Sequence, residues 1–163
     1  MPFEQITIKE LCEKSIVNRR TFYLHYDSID GLLEDILEEM SLDFLEYTKG
    51  YDHFSNPDKI IKDYFEFTNS NPLYEKLNNN SEFDYIREQL NNKTVNNVTY
   101  HFDRIKHLDK FNFDMARIYL NSSTVAMYRY WSLNGKKIPM EDAIKSATKL
   151  IKEGIKSITK ENH

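Results

Sequence analysis

Apolar side chains recur at helical spacing along almost the whole chain. Thr7 and Glu10 stand at the separation of a capping box, in which each side chain satisfies an unpaired amide at a helix start, and Ile8, Leu11 and Cys12 follow as an apolar stripe. The pattern predicts a short helix from about 7 to 14. Ser15 to Asn18 separate it from a second short helix, with Asn18 as N-cap and Phe22 and Tyr26 as an i,i+4 apolar pair. Ser28 is the expected cap of a longer helix at about 29 to 48. Its Leu32, Leu33, Ile36, Leu37, Met40, Phe44 and Leu45 recur at helical spacing, and its exposed side is acidic.

Gly50 stops that helix, and the composition shift there marks a boundary between residues 1–49 and 50–163. Asn56-Pro57 reads as N-cap plus first helical residue for a helix carrying Ile60, Ile61, Tyr64, Phe65 and Phe67. Asn71-Pro72 restarts a short helix, Asn78 to Ser81 is a polar break, and weaker patterns run at about 82–91 and 93–107. Asp114 to Leu133 reads as a long helix ended by Asn134-Gly135, and Pro139 opens a last helix to about Thr159. The expectation is an all-α chain: an N-terminal helix-turn-helix followed by a helical bundle.

Composition narrows this further. The 163 residues carry 22 basic and 26 acidic side chains, a formal charge of −4, and only four glycines and four prolines. The single cysteine, Cys12, excludes an intrachain disulfide. No run approaches the roughly 18 apolar residues of a membrane span, and the N-terminus lacks a signal-peptide pattern, so the expected location is the cytoplasm with no membrane partner. Of 22 aromatic residues, 16 follow residue 50, enough for a large aromatic core or a pocket within one.

The segment from Thr7 to Tyr26 reads as a helix-turn-helix whose second helix can enter the major groove of DNA. At 100° per residue, Phe22 and Tyr26 share an inward arc while Arg20, Thr21 and Leu24 share the outward one, with Arg19 and Tyr23 at the division. Guanidinium groups pair with guanine edges, and Thr and Tyr hydroxyls bind phosphate oxygens. The stretch 7–26 holds four basic and two acidic side chains, although residues 1–50 as a whole hold five and eleven.

Ile6 to Leu33, and above all Thr21-Phe22-Tyr23-Leu24-His25-Tyr26 followed by Ser28 and Leu32, resembles the TetR family of transcriptional regulators. An aromatic residue with Trp131, Asn134 and Gly135 before the last helix is similar to a subgroup with short C-terminal domains. The resemblance implies that Thr7 touches phosphate, that Arg19, Arg20 and Thr21 face the groove, and that Tyr23 and His25 approach the backbone. It implies a DNA-binding region with its connecting helix over 1–49 and a ligand-binding and dimerisation domain over 50–163. It also implies a homodimer that acts as a ligand-responsive repressor on a double-stranded operator, switched by an effector of unknown identity.

Three departures keep a second reading open, a dimeric helical sensor or interaction module that has lost DNA binding. The family places a full helix ahead of Thr7, whereas Met1 to Ile6 precede it here, so the expectation is either a reading frame that begins late or an incomplete DNA-binding unit. Ile16 stands where glycine is common, and a β-branched residue disfavours a positive φ, so an altered turn is expected. Ile29 stands at a position commonly lysine, which removes a phosphate contact. Weak or ligand-sensitive DNA binding is the consequence.

Tyr64, Phe65, Phe67, Tyr74, Phe83, Tyr85, Tyr100, Phe102, Phe111 and Phe113 fall where the family places its effector cavity, and most are expected to be core. His101 and Arg104 are polar groups that could join Tyr hydroxyls in a pocket. The last two helices are the expected dimer interface, with Tyr119, Met127, Tyr130 and Trp131 as anchors, which are also suited to intrachain core. No phosphate-cradling glycine loop, HExxH pair, GxSxG elbow or Cys/His couple occurs, and His101 and His107 are poorly spaced to share a metal on a helix. Neither an enzyme nor a cofactor or metal site is expected.

Overall fold

A computed structural model describes residues 5–87, 89 and 108–159, and among these every regular element is helical. The helices are α1 (Ile8–Ser15), α2 (Arg19–His25), α3 (Ile29–Thr48), α4 (Pro57–Ser70), α5 (Pro72–Asn79), α6 (Lys110–Leu133) and α7 (Met140–Thr159), with a 3₁₀ turn at Ser81–Phe83. The fold is all-α, as the periodicity predicts. Residues 84–87 and 89 are also helical, while the rest of the two weaker patterns, including Tyr100, His101, Phe102, Arg104 and His107, lies outside the described residues.

Local side chains start most of these helices. Thr7 Oγ1 accepts from the Glu10 amide at 3.2 Å, Asn18 Oδ1 from Arg20 at 2.8 Å, Ser28 Oγ from Gly31 at 3.1 Å and Asn71 Oδ1 from Leu73 at 2.9 Å. Asn56 departs from expectation: Pro57 opens α4, but the Asn56 side chain makes no cap and its Nδ2 donates to the Asp52 carbonyl at 2.8 Å. The long helix α6 begins at Lys110 rather than Asp114, because Asp109 Oδ1 accepts from the Asn112 amide at 2.8 Å. Asn78 and Asn79 belong to the last turn of α5 rather than to a break.

Two clusters of buried side chains organise the bundle. The larger joins α4, α6 and α7 through Ile61, Phe65, Leu120, Tyr128, Trp131 and Ile151, with Phe44 of α3 packed against it. Full burial of an aliphatic or aromatic side chain of this kind contributes about 1.5–3 kcal/mol. The smaller joins Leu33 and Leu37 of α3 to Leu77 of α5, Phe83 and Ile86. Helix α3 therefore packs against helices that follow Gly50, while α1 and α2 pack on each other.

Around the end of α5 the packing is polar. Arg129 Nε donates to the Asn78 carbonyl at 2.9 Å, Arg87 donates to the Leu77 and Asn80 carbonyls, and both guanidiniums pair with Asp84. These donors satisfy carbonyls that a helix end leaves unpaired. They also hold the Asp84 carboxyl below its usual range against the opposing effect of burial, the largest single influence on it.

Candidate nucleic-acid interface

Helix α1 ends on Ile16 at φ +57°, ψ +34°, and the Val17 amide reaches back to the Cys12 carbonyl at 3.0 Å. The tight turn is therefore made by the β-branched residue itself in the left-handed region that such residues ordinarily avoid. The Ile16 side chain is 93% exposed, so no packing offsets the backbone strain.

Asn18 then redirects the chain into α2. Phe22 is buried and Tyr26 half-buried, their rings 5.7 Å apart, while Arg19, Arg20, Thr21, Tyr23, Leu24 and His25 are exposed. This is the inward and outward division the 100° spacing predicts. Among the described residues neither arginine forms an ion pair, so both guanidiniums present their full charge and five donors to solvent. Tyr23, 56% exposed as a residue, packs edge-on against Phe22, and His25 lies against Tyr26.

Thr7 is exposed but already engaged. Its hydroxyl donates to Glu10 Oε2 at 2.7 Å while accepting from the Glu10 amide, and the Thr7 amide donates to the same carboxylate at 3.2 Å. Hydrogen bonds from Thr7 hold the Glu10 carboxyl below its ordinary range, so an anion sits beside the position expected to meet phosphate. The capping box and the phosphate role draw on one hydroxyl, a conflict visible in the sequence.

Behind α2 the surface changes sign. Helix α3 carries seven acidic and no basic side chains, and Tyr26, Asp35, Ile36, Glu38, Glu39 and Leu42 line a surface concavity. A hydrogen bond to Asp35 raises the Tyr26 hydroxyl above its usual range. The positive charge of the α1–α2 unit therefore ends where α3 begins.

The residues expected at a dimer interface divide. Trp131 is buried in the larger cluster, with Nε1 donating to the Ile138 carbonyl at 2.9 Å and its ring against Phe65 and Tyr128, so it belongs to the intrachain core rather than to a surface. Met127 is half-buried against the same cluster. Tyr119 and Tyr130 are exposed, and with Phe111, Met115, Ile118 and Leu133 they form an uncovered stripe along α6.

Of the aromatic residues expected in the middle helices, Phe65, Phe83 and Phe113 are core, whereas Tyr85 and Phe111 are largely exposed. Tyr64 is held at Asn78 Oδ1 by a 2.6 Å hydrogen bond, and burial pushes its hydroxyl up to about 12. Phe67 stacks on Tyr74. No group of three or more His, Cys, Asp or Glu side chains suited to a metal ion occurs among the described residues, and no described helix is long and apolar enough to cross a membrane. Comparison with protein-family models, with curated proteins and with solved structures finds no match to this chain.

Proposed function

We propose that this chain is a TetR-like transcriptional regulator, a ligand-responsive repressor that binds double-stranded operator DNA as a homodimer. The observation that carries the reading is the division of α2: Phe22 anchors one side, and Arg19, Arg20 and Thr21 stand exposed on its first turn, with no ion pair to either arginine among the described residues. A recognition helix reads base edges from that end, and Arg20 is the residue we assign to a guanine. Arg19 and Thr21 face the groove beside it, Tyr23 and His25 approach the sugar-phosphate backbone, and Thr7 touches phosphate after its hydroxyl leaves Glu10.

One such helix offers too few contacts for specific binding. The exposed apolar stripe on α6, with Ser122 and Ala126 between its larger side chains, supports pairing with a second copy. Small residues at its middle let two helices approach closely, and its ends carry aromatic side chains of the kind enriched in interfaces. Two recognition helices would then sit one duplex turn apart, roughly 34–36 Å.

The acidic surface of α3 and the engaged Thr7 favour the second reading, a dimeric sensor or interaction module without DNA binding. A gel-shift titration against the DNA upstream of the protein's own gene separates the two. Salt-sensitive, sequence-preferring binding supports the regulator, and persistent absence of binding supports the module.

A further inference from the structure

Three polar atoms are buried beneath α5 without a well-formed hydrogen bond to any described residue: Asn78 Nδ2, Asn79 Oδ1 and Tyr128 Oη. Asn78 and Tyr128 are wholly enclosed, at 0% exposure. The three share one neighbourhood. Tyr64 donates to Asn78 Oδ1 at 2.6 Å and packs edge-on against Tyr128 at 5.9 Å, and Asn79 donates to Ser132, one helical turn beyond Tyr128. Buried polar groups in folded proteins are ordinarily paired, so a concentration of unmet ones marks a place where a partner is due.

Their chemistry is specific. Tyr64 fixes the Asn78 amide with its nitrogen left over. Ser132 gives its proton to Glu75 and therefore accepts from Asn79 Nδ2, which leaves the Asn79 oxygen over. A donor, an acceptor and a hydroxyl able to serve as either remain. The adjacent charges are matched, Glu75 with Lys136 at 2.8 Å and Asp84 with Arg129 at 2.8 Å, so neither pair leaves a net charge to balance that of a ligand. The surrounding wall is aromatic, built from Tyr64, Phe65, Tyr128 and Trp131.

Helix α5 covers this cluster and buries one hydrophobic residue, Leu77, so that polar bonds to Tyr64, Arg87, Arg129, Ser132 and Lys136 hold it in place. We infer that α5 is a lid over a ligand site, and that the ligand is a small uncharged aromatic molecule carrying a donor and an acceptor side by side, a carboxamide being the simplest. The inference rests on reading residues 50–163 as a sensor. Lifting α5 reaches α3 directly, because Tyr74 Oη donates to Asp43 Oδ2 at 2.5 Å and Leu77 packs with Leu33 and Leu37.

The experiment is a titration of the ¹⁵N-labelled full chain with benzamide, benzoate and methyl benzoate, each to millimolar concentration. Benzamide is expected to shift the Asn78 and Asn79 side-chain amide resonances and the Asp43 backbone amide along one saturable curve, with the other two probes at least tenfold weaker. Tyr128→Phe keeps the ring and removes a hydroxyl that has only Ser132 beside it and no well-formed hydrogen bond. It is expected to raise Tm in the free protein while weakening benzamide at least threefold, a combination that a purely structural role does not produce. Unmoved Asn78 and Asn79 resonances, equal affinity for all three probes, or a raised Tm with unchanged benzamide affinity would each overturn the inference. Operator binding is measured separately. Its survival alongside a negative titration defeats the lid alone, and its absence alongside benzamide binding defeats the DNA-binding reading alone.

Discussion

Tyr119 lays its ring directly over Gly154, so closely that a β-carbon at position 154 would stand 2.7 Å from Tyr119 Cε1 and Oη. The contact joins α6 to α7 at the edge of the exposed stripe, and it needs a residue without a side chain on α7. Gly154→Ala would push the ring outward into the surface assigned to the second copy. Helix propensity alone favours alanine there by about 1 kcal/mol, so the monomer fold survives. We expect sedimentation equilibrium to give a dimer for the natural chain at micromolar concentration and at least tenfold weaker dimerisation for Gly154→Ala. Unchanged dimerisation would remove this part of α6 and α7 from the interface.

Ile16 in the left-handed region costs the fold about 1–2 kcal/mol relative to a residue without a β-carbon. Glycine loses more chain entropy on folding, by roughly 0.5–1 kcal/mol, which offsets part of the gain. Because the Ile16 side chain makes no buried packing, Ile16→Gly is expected to stabilise α1 and its turn by about 0.5–1 kcal/mol. Native-state hydrogen exchange at the Val17 amide reads this directly, and faster exchange in the variant would contradict it.

His53 is buried at the α3–α4 joint, between Phe44 and Tyr51, and its ring donates to the Thr48 carbonyl. Burial pulls its pKa below the ordinary histidine value and outweighs the opposing influence of that hydrogen bond, Asp52 and Asp63. Lys59 acts in the same direction as burial. The unfolded chain therefore takes up a proton first as pH falls. Stability is highest above the unfolded value of about 6.5 and declines between that value and the lower folded one. Thermal melts from pH 7.5 to 5.5 are expected to show a falling Tm for the natural chain and a flatter profile for His53→Gln. Parallel profiles would exclude His53 as the cause.

Arg129 ties the end of α5 to α6 and to Asp84. Removing it in Arg129→Ala leaves the Asn78 carbonyl without its donor, a loss of about 1–3 kcal/mol measurable by urea unfolding. Arg129→Lys is expected to recover less than half, because one ammonium cannot serve the carbonyl and the carboxylate in the geometry of the planar guanidinium. Full recovery by lysine would show that charge alone suffices.

The elements legible in the sequence are those whose starts are written in neighbouring residues. Thr7, Asn18, Ser28 and Asn71 each cap a helix two or three residues ahead, and Phe22 with Tyr26 shows by spacing alone which side of α2 turns inward. What was not legible depends on distant partners. Asn78 and Asn79 look like a break until Tyr64 and Ser132, supplied by other helices, engage their amides. Trp131 has the composition of an interface anchor, but its indole proton is taken by Ile138 and its ring by Phe65. The candidate DNA-reading face was legible from periodicity, whereas the commitment of Thr7 to Glu10 required weighing two roles for one hydroxyl.

The central claim is that α2 reads DNA, and the most direct measurement is the affinity of the full chain for its upstream DNA and for random DNA across a salt series. We expect log affinity to fall linearly with log salt, and a clear preference for the upstream sequence. Arg20→Ala should cost about 1–3 kcal/mol on the specific site, relax preference at one base position and leave random DNA far less affected. Equal losses on both DNAs, or the absence of salt-sensitive binding by the natural chain, would contradict the account.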